Sequence, residues 1–457
     1  MKTELGSNPK PIALPNPNKF FNTTTQGSLS GALKGCLSSL DGACIEKLLL
    51  HCASALECND VTLAQQVMWV LNNVASSHGD PNQRLTSWFL RALIAKGSRL
   101  CPTYSVNFHA TSGTLHRAIT RCMSVTELAG YVDLIPWHRF GFCASNSVIF
   151  KAIEGCPKVH ILDFSITHCM QWPTLIDALA RRPEGAPSLR ITVPSSRPPV
   201  PPFLNVLSEE VGLRLANFAK SRDISFEFHV INGCPSSNSS ATTDHVLGEP
   251  SMDQHEVLLA LLNPASLQLG DDEALVVNCQ NWLRYLPNEQ VGSTQDVSLR
   301  DRFLDAIRSL NPRTVVVVDE DADLDSPSLA SRITACFDYL WIPFDALETF
   351  LPKDSCQRMQ YEADIGHKIE NIIGFEGVQR IERLECGSGL VQRMKKSGFL
   401  SVPFYEGTVR EVKLLLDEHA SGWGMKREDE MLALTWKGHN SVFATAWVPN
   451  SQLLTIE

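Results

Sequence analysis

From Pro157 onward the chain alternates short β-branched runs with amphipathic helical stretches, a pattern that few folds satisfy. The runs "KVHILDF" (158–164), "LRITVP" (189–194), "ISFEFHVI" (224–231), "EALVVNCQ" (273–280) and "TVVVVDED" (314–321) read as strands, the first of them buried. Between them lie helical segments such as "PTLIDALARR" (173–182), "EEVGLRLANFAKS" (209–221) and "LRDRFLDAIRSL" (299–310). Crossovers of this length force neighbouring strands to pair in parallel, with helices on both faces of the sheet. The reading is therefore α/β with a doubly wound sheet. The last stretch, "GWGMKRE", "MLALTW" and "SVFATAWVP" (422–449), lacks crossover helices and predicts an antiparallel C-terminal edge.

Before Pro157 the period is helical. "ACIEKLLLHCASALE" places Ile45, Leu48, Leu49, Cys52, Ala53 and Leu56 on one face, and "VTLAQQVMWVLNNVA" repeats this through Leu63, Val67, Val70, Leu71 and Val74. A third helix covers roughly 83–95, and "TLHRAITRCM", "VTELAGYVDLI" and "ASNSVIFKAIEG" continue a strand-free run to Gly155. This is an N-terminal helical cap subdomain. Residues 1–42, rich in Pro, Asn, Ser and Thr, read as a disordered lead-in, and 197–203 and 233–251 as surface loops.

A formal net charge of −10 over 457 residues excludes a whole-chain polycation wrapped on nucleic acid and leaves room only for a local basic face. Arg181, Arg182, Arg190, Lys395 and Lys396 are the candidates for such a face or a partner contact; the default for each is a solvated charge. No apolar run reaches membrane-spanning length and no secretory leader is evident, so no membrane partner is expected and the fourteen cysteines read as reduced, mostly buried thiols. Adjacent pairs such as His168-Cys169 do not have zinc-ligand spacing, and no metal is expected.

Asp163 closes the first strand at the point where a doubly wound sheet binds dinucleotides or S-adenosylmethionine. Those ligands need glycines in the following loop, because Cβ atoms obstruct the approach of backbone N–H groups. Here the loop is Phe164, Ser165, Ile166, Thr167, His168, Cys169 and Met170. Bulky residues such as Phe164 and Ile166 are expected to fill the ligand's space, with Asp163 bonded to its own loop. No cofactor is expected. The acids Asp319, Glu320 and Asp321 read as a solvated loop rather than a Mg²⁺ site, and "LLALL" (258–262) as core before a partner helix.

Taken together, these segments resemble the GRAS family of plant transcriptional regulators, in its scarecrow-like branch, over about residues 43–450. "VHILD" (Val159, His160, Ile161, Leu162, Asp163) is similar to the VHIID motif, followed by Gln171 and Trp172 at the expected distance. The resemblance divides the chain into a first leucine-rich region and helical cap (43–105), a VHIID region (128–193), a second leucine-rich region (205–240), a PFYRE region in two parts (250–350 and 351–400) and a SAW region (401–450). Pro312, Tyr339, Arg380 and Glu382 are its PFYRE counterparts, and Trp423, Trp436 and Trp447 belong to its SAW-like end. The family usually carries glycine two residues before Gln-Trp, where this chain has Cys169. The resemblance implies a Rossmann-type, methyltransferase-like core without enzymatic activity. It also implies a nuclear regulator working with other transcription factors, as homo- or hetero-dimers, with DNA bound directly or through a partner. The motif residues are then structural: Val159, Ile161 and Leu162 in the core, His160 a satisfied histidine, Gln171 and Trp172 anchoring the loop. The alternative is an S-adenosylmethionine-dependent methyltransferase.

Overall fold

The β-branched runs become the parallel strands: β2 (Lys158–Asp163), β3 (Ser188–Pro194), β5 (Phe226–Ile231), β6 (Ala274–Gln280) and β7 (Thr314–Glu320), with β5 at the sheet's edge. The computed structural model describes residues 42–100, 122–165, 169–195, 203–204, 206–231, 252–288, 297–419 and 421–451. Residues 1–41, most of the loops read at 197–203 and 233–251, and Ile166, Thr167 and His168 lie outside them. The sheet runs in the order β5-β3-β2-β6-β7-β11-β10-β9, with β8 (Phe399–Ser401) on β11. The first five of these strands are parallel. The edge predicted from 422–449 is present as β9 (Trp423–Arg427), β10 (Leu432–Trp436) and β11 (His439–Pro449), but β11 slots between β7 and β10, antiparallel to both. This is a doubly wound α/β sheet with the methyltransferase-like reversed last strand.

Among the described residues the strand-free reading up to Gly155 needs one correction; the helix read in "TLHRAITRCM" lies outside them up to Arg121. Cys122–Met123 form a two-residue strand β1, parallel to β4 (Phe203–Leu204), in a small separate sheet. So short a pairing leaves no period to detect. The helices that do carry the period are α1 (Gly42–Glu57), α2 (Val61–Val74), α3 (Pro81–Leu100), α4 (Val125–Leu134) and α5 (Trp137–Ala152). In α2 Val67, Leu71 and Val74 of the expected face are buried, with Ala64 and Met68 beside them, whereas Leu63 is exposed.

Alternation along β2 sorts side chains to opposite faces of the sheet. Val159 and Ile161 join a core with α5, α6 (Trp172–Ala180), α7 (Ser208–Lys220) and α13 (Glu406–Asp417). Leu162 and Phe164 join a second core against α8 (Met252–Leu261), α9 (Leu299–Ser309) and α12 (Gly387–Lys396), which also takes Leu262 of the "LLALL" run.

The cap is assembled from two distant stretches. Helices α1 and α3 pack on α10 (Leu329–Phe350) and α11 (Cys356–Gly374), which are inserted after β7, and α2 packs on α1 and α3. A buried ionic cluster joins them: Arg84 donates from Nε to both carboxylate oxygens of Glu362, at 3.0 and 3.1 Å, and from Nη1 to Glu348 at 2.8 Å. Arg358 also reaches Glu362, at 3.1 Å. Burying these charges is tolerable only because each is paired. Alongside, α11 closes on the Trp88 ring so tightly that a Cβ on Gly366 would lie 2.1 Å from it. Gly366→Ala is therefore expected to cost about 1–3 kcal/mol through overpacking, read as a lower urea midpoint with an unchanged m-value.

Candidate functional site

Two strand ends carry buried polar chemistry. At the first, Asp163 is buried and accepts hydrogen bonds on both oxygens from its own chain. Oδ1 takes the Ser165 backbone N–H and the Asn278 amide, each at 2.9 Å. Oδ2 takes the Trp172 indole N–H at 2.8 Å, the Ser165 hydroxyl at 3.1 Å and the Cys169 thiol at 3.6 Å. Asn278 sits opposite Asp163 in the β2–β6 register, and Gln280 follows two residues on, on the same face.

A carboxylate can only accept, so it fixes the direction of every amide beyond it. The Asn278 amide must turn its NH₂ toward Asp163, and the same NH₂ donates to Gln171 Oε1 at 3.1 Å. Gln171 Oε1 also accepts from the Gln280 NH₂, and Gln171 Nε2 donates to Asn146 Oδ1 at 2.9 Å. Asn146 in turn donates to Thr174 Oγ1 at 2.9 Å. Gln171 takes its place in this relay, and Trp172 reaches Asp163 directly. Trp172 is fully buried in the α5–α6 core.

Phe164 acts differently from the sequence reading. It turns to the opposite face and packs against Trp282 and Phe303, ring centroids 5.5 and 5.0 Å away. The Trp172 indole and the amides, not Phe164, occupy the Asp163 end; Ile166 lies outside the described residues. Cys169 has φ +61°, a left-handed backbone that favours glycine. The thiol of this residue, where the resemblance leads one to expect glycine, donates to Asp163. Asn278 and Gln280 were missed from sequence, although two polar residues alternating in "VVNCQ" were the available signal.

The second strand end overturns the solvated-loop reading of Asp319 and Glu320. Both are buried inside β7. Arg284 donates from Nε to Asp319 at 2.8 Å and from Nη1 to Glu320 at 2.6 Å, and Lys368 donates to both Glu320 oxygens at 2.6 Å. Burial alone would raise the Glu320 carboxyl, but the two cations outweigh it and hold it at about 2. Burial prevails at Asp319 and lifts it above the ordinary carboxylate range despite Arg284. Asp321 caps two segments, accepting the Gly387 N–H and the Asn440 amide, each at 2.9 Å. The compensating cations are remote in sequence, which is why spacing could not reveal them. A cavity of about 110 Å³ opens beside these charges, between the ends of β6 and β7 and the helices α4, α5, α10 and α11.

Tyr339 donates from its hydroxyl to the Ser441 carbonyl at 2.7 Å, Trp436 from its indole to Asp345 at 2.7 Å, and Trp423 packs tilted against Trp436, ring centroids 4.7 Å apart. Trp447 and Pro312 are buried, and Arg380 lies 3.8 Å from Asp325. Glu382 lines the cavity. His160 is only half satisfied: Nε2 pairs with Thr192 Oγ1 at 2.7 Å, while Nδ1 has no hydrogen-bond partner. The candidate cations do not form a basic face. Arg182 is buried, donating to the Ile153 and Phe150 carbonyls at the end of α5, and Arg190 is locked to Glu273. Arg181 pairs with Asp177 and Lys395 with Glu430 at the surface; Lys396 is exposed. Among the described residues, no His, Cys, Asp and Glu cluster is set to hold a metal, and no helix is long and apolar enough to cross a membrane.

Two outcomes follow. Trp172→Phe keeps an aromatic ring but removes one of the three donors to Asp163 Oδ2, at a cost of about 1–3 kcal/mol, whereas Trp172→Ala should cost roughly 3–5 kcal/mol; urea denaturation of both variants checks the order. Burial lowers His138 from 6.5 to about 4 and, with Arg190 nearby, His160 to about 3. Both are neutral when folded, so the unfolded chain binds the extra protons. Stability is full above pH 6.5 and falls as pH drops toward 4 and then 3, by up to about 1.4 kcal/mol per pH unit for each histidine. Denaturation midpoints across this range should fall steeply, and less steeply in His138→Phe.

Comparison with known proteins places this geometry. The chain matches the GRAS domain family over residues 45–448. It is 46% identical over 422 residues to Scarecrow-like protein 32 of Arabidopsis thaliana, covering 91% of this chain and 96% of that protein. It is 28% identical over 434 residues to Scarecrow-like transcription factor PAT1 of Arabidopsis thaliana, covering 93% and 80%. Among solved structures, SCL7 of Oryza sativa superposes with a TM-score of 0.67 at 26% identity, covering 88% of this chain and 99% of that one.

Proposed function

The chain belongs to the GRAS family of plant regulators, and from that premise we propose that it is a nuclear transcriptional regulator whose α/β core is a scaffold rather than an enzyme. The observation that carries this reading is the Asp163 carboxylate. In a cofactor-binding sheet an acid at this strand end is kept for the ligand; here five donors of the chain itself take both oxygens. The name of the PAT1 relative, a transcription factor, supports the same class.

Work on DNA goes mainly through other transcription factors, with homo- or hetero-dimers as the working unit. Support comes from the cations: Arg182 and Arg190 hold the fold together, Arg181 and Lys395 are paired, and the net charge is −10. Phosphate contacts would need such side chains free.

Calorimetric titration with S-adenosylmethionine is expected to give no binding heat. Micromolar binding, lost in a folded Asp163→Ala variant, would overturn the scaffold reading. Promoter DNA titrated with the purified protein alone should show weak binding without sequence preference. A steep salt slope with sequence preference would instead make the protein a direct reader.

A further inference from the structure

The cavity beside β6 and β7 has features of a built binding site. It lies at the carboxyl ends of two parallel strands, next to the point between β2 and β6 where the strand order reverses, which is where open α/β sheets receive ligands. Three of the residues lining it carry buried polar atoms with no hydrogen-bond partner: Trp137 Nε1, Gln280 Oε1 and Glu382 Oε2. Native interiors seldom leave such atoms unpaired.

The orientation of Gln280 is imposed from outside the cavity. The relay that starts at Asp163 uses the Gln280 NH₂, so its carbonyl oxygen is left over as an acceptor. Glu382 Oε2 is a second acceptor, 3.7 Å from Arg284 and 3.8 Å from Lys368, too far for hydrogen bonds. Those two cations are committed instead to Asp319 and Glu320. Two cations, Arg284 and Lys368, are shared among three carboxylates: Glu320 and Glu382 in the lining and Asp319 just behind. The hole is short of positive charge. Its unmet groups are two acceptors and one indole donor, and Tyr131, Trp137 and Tyr285 supply aromatic walls that favour a cation.

We propose that this cavity binds a small organic ammonium ion that also carries an acceptor oxygen, the amino alcohols being the simplest such class. The ammonium donates to Gln280 Oε1 and Glu382 Oε2, and the oxygen accepts from Trp137 Nε1. A volume of about 110 Å³ is below the ~150 Å³ that holds benzene, so the occupant has roughly four or five non-hydrogen atoms. Water would satisfy the hydrogen bonds but not the charge. The site is independent of the regulator reading, since it would serve a sensing scaffold and an enzyme alike.

The test is ligand-detected NMR on the full chain with ethanolamine as probe, against propionate and 1-propanol, which are of similar size but anionic and neutral. Ethanolamine should bind saturably, the other two at least about tenfold more weakly. Glu382→Gln should weaken ethanolamine by about tenfold or more. Trp137→Phe should bring ethanolamine down to the affinity of ethylammonium, which lacks the oxygen, while leaving ethylammonium unchanged. Absence of saturable ethanolamine binding, meaning a cavity filled by water only, would overturn the proposal. So would equal binding of the three probes, or unchanged ethanolamine affinity in a Glu382→Gln protein that melts like the wild type. Should Glu382→Gln fail to fold, the Trp137→Phe comparison decides alone: equal losses for ethanolamine and ethylammonium would also overturn it.

Discussion

A carboxylate that can only accept hydrogen bonds sits where the first parallel strand, its neighbour and the following loop and helix meet. Asp163 ends β2, faces β6, and receives donors from the loop after it, from α6 and from the neighbouring strand. Every one of those elements must be correctly placed before the charge is satisfied, and an unsatisfied buried carboxylate is far more costly than any single lost contact. The acid therefore specifies register and loop path together. Its influence runs outward through Asn278, Gln171 and Gln280, because each amide has only one orientation compatible with the one before it.

Much of the architecture was legible in the sequence, and for a clear reason. Burial on both faces of a parallel strand demands continuous β-branched runs, and amphipathic helices show their period directly. Those signals are local. The reversed position of β11, between β7 and β10, leaves no local mark, and neither does the two-residue β1. The site was legible in part. Asp163, Gln171 and Trp172 stood out, yet their partners Asn278 and Gln280 lie more than a hundred residues away. Asp319 and Glu320 look like surface acids in any window of sequence, because only the folded chain brings Arg284 and Lys368 to them. Phe164 illustrates the limit of reading a loop by bulk: strand alternation sends it to the far face.

The two strand ends solve one electrostatic problem in different ways. Asp163 is neutralised by dipoles, from two hydroxyl or thiol groups, an indole, an amide and a backbone N–H. Asp319 and Glu320 are neutralised by full charges, and the ion network they form extends to Lys368 on the inserted helix α11. The first arrangement closes the sheet locally. The second ties the sheet to the cap, so that cap and core share one set of buried charges with the Glu382 cavity at their junction.

The divided cap has a consequence for synthesis on the ribosome. Helices α1–α3 are complete by Leu100, yet the surfaces that cover them, α10 and α11, begin at Leu329. At roughly 5–20 residues per second the early helices wait on the order of ten seconds or more with Leu85, Phe89 and Leu93 uncovered. During that interval the nascent chain offers a sticky, partly formed helical surface. The stretch is a natural client for a chaperone, and the cap, though first made, is among the last parts to close.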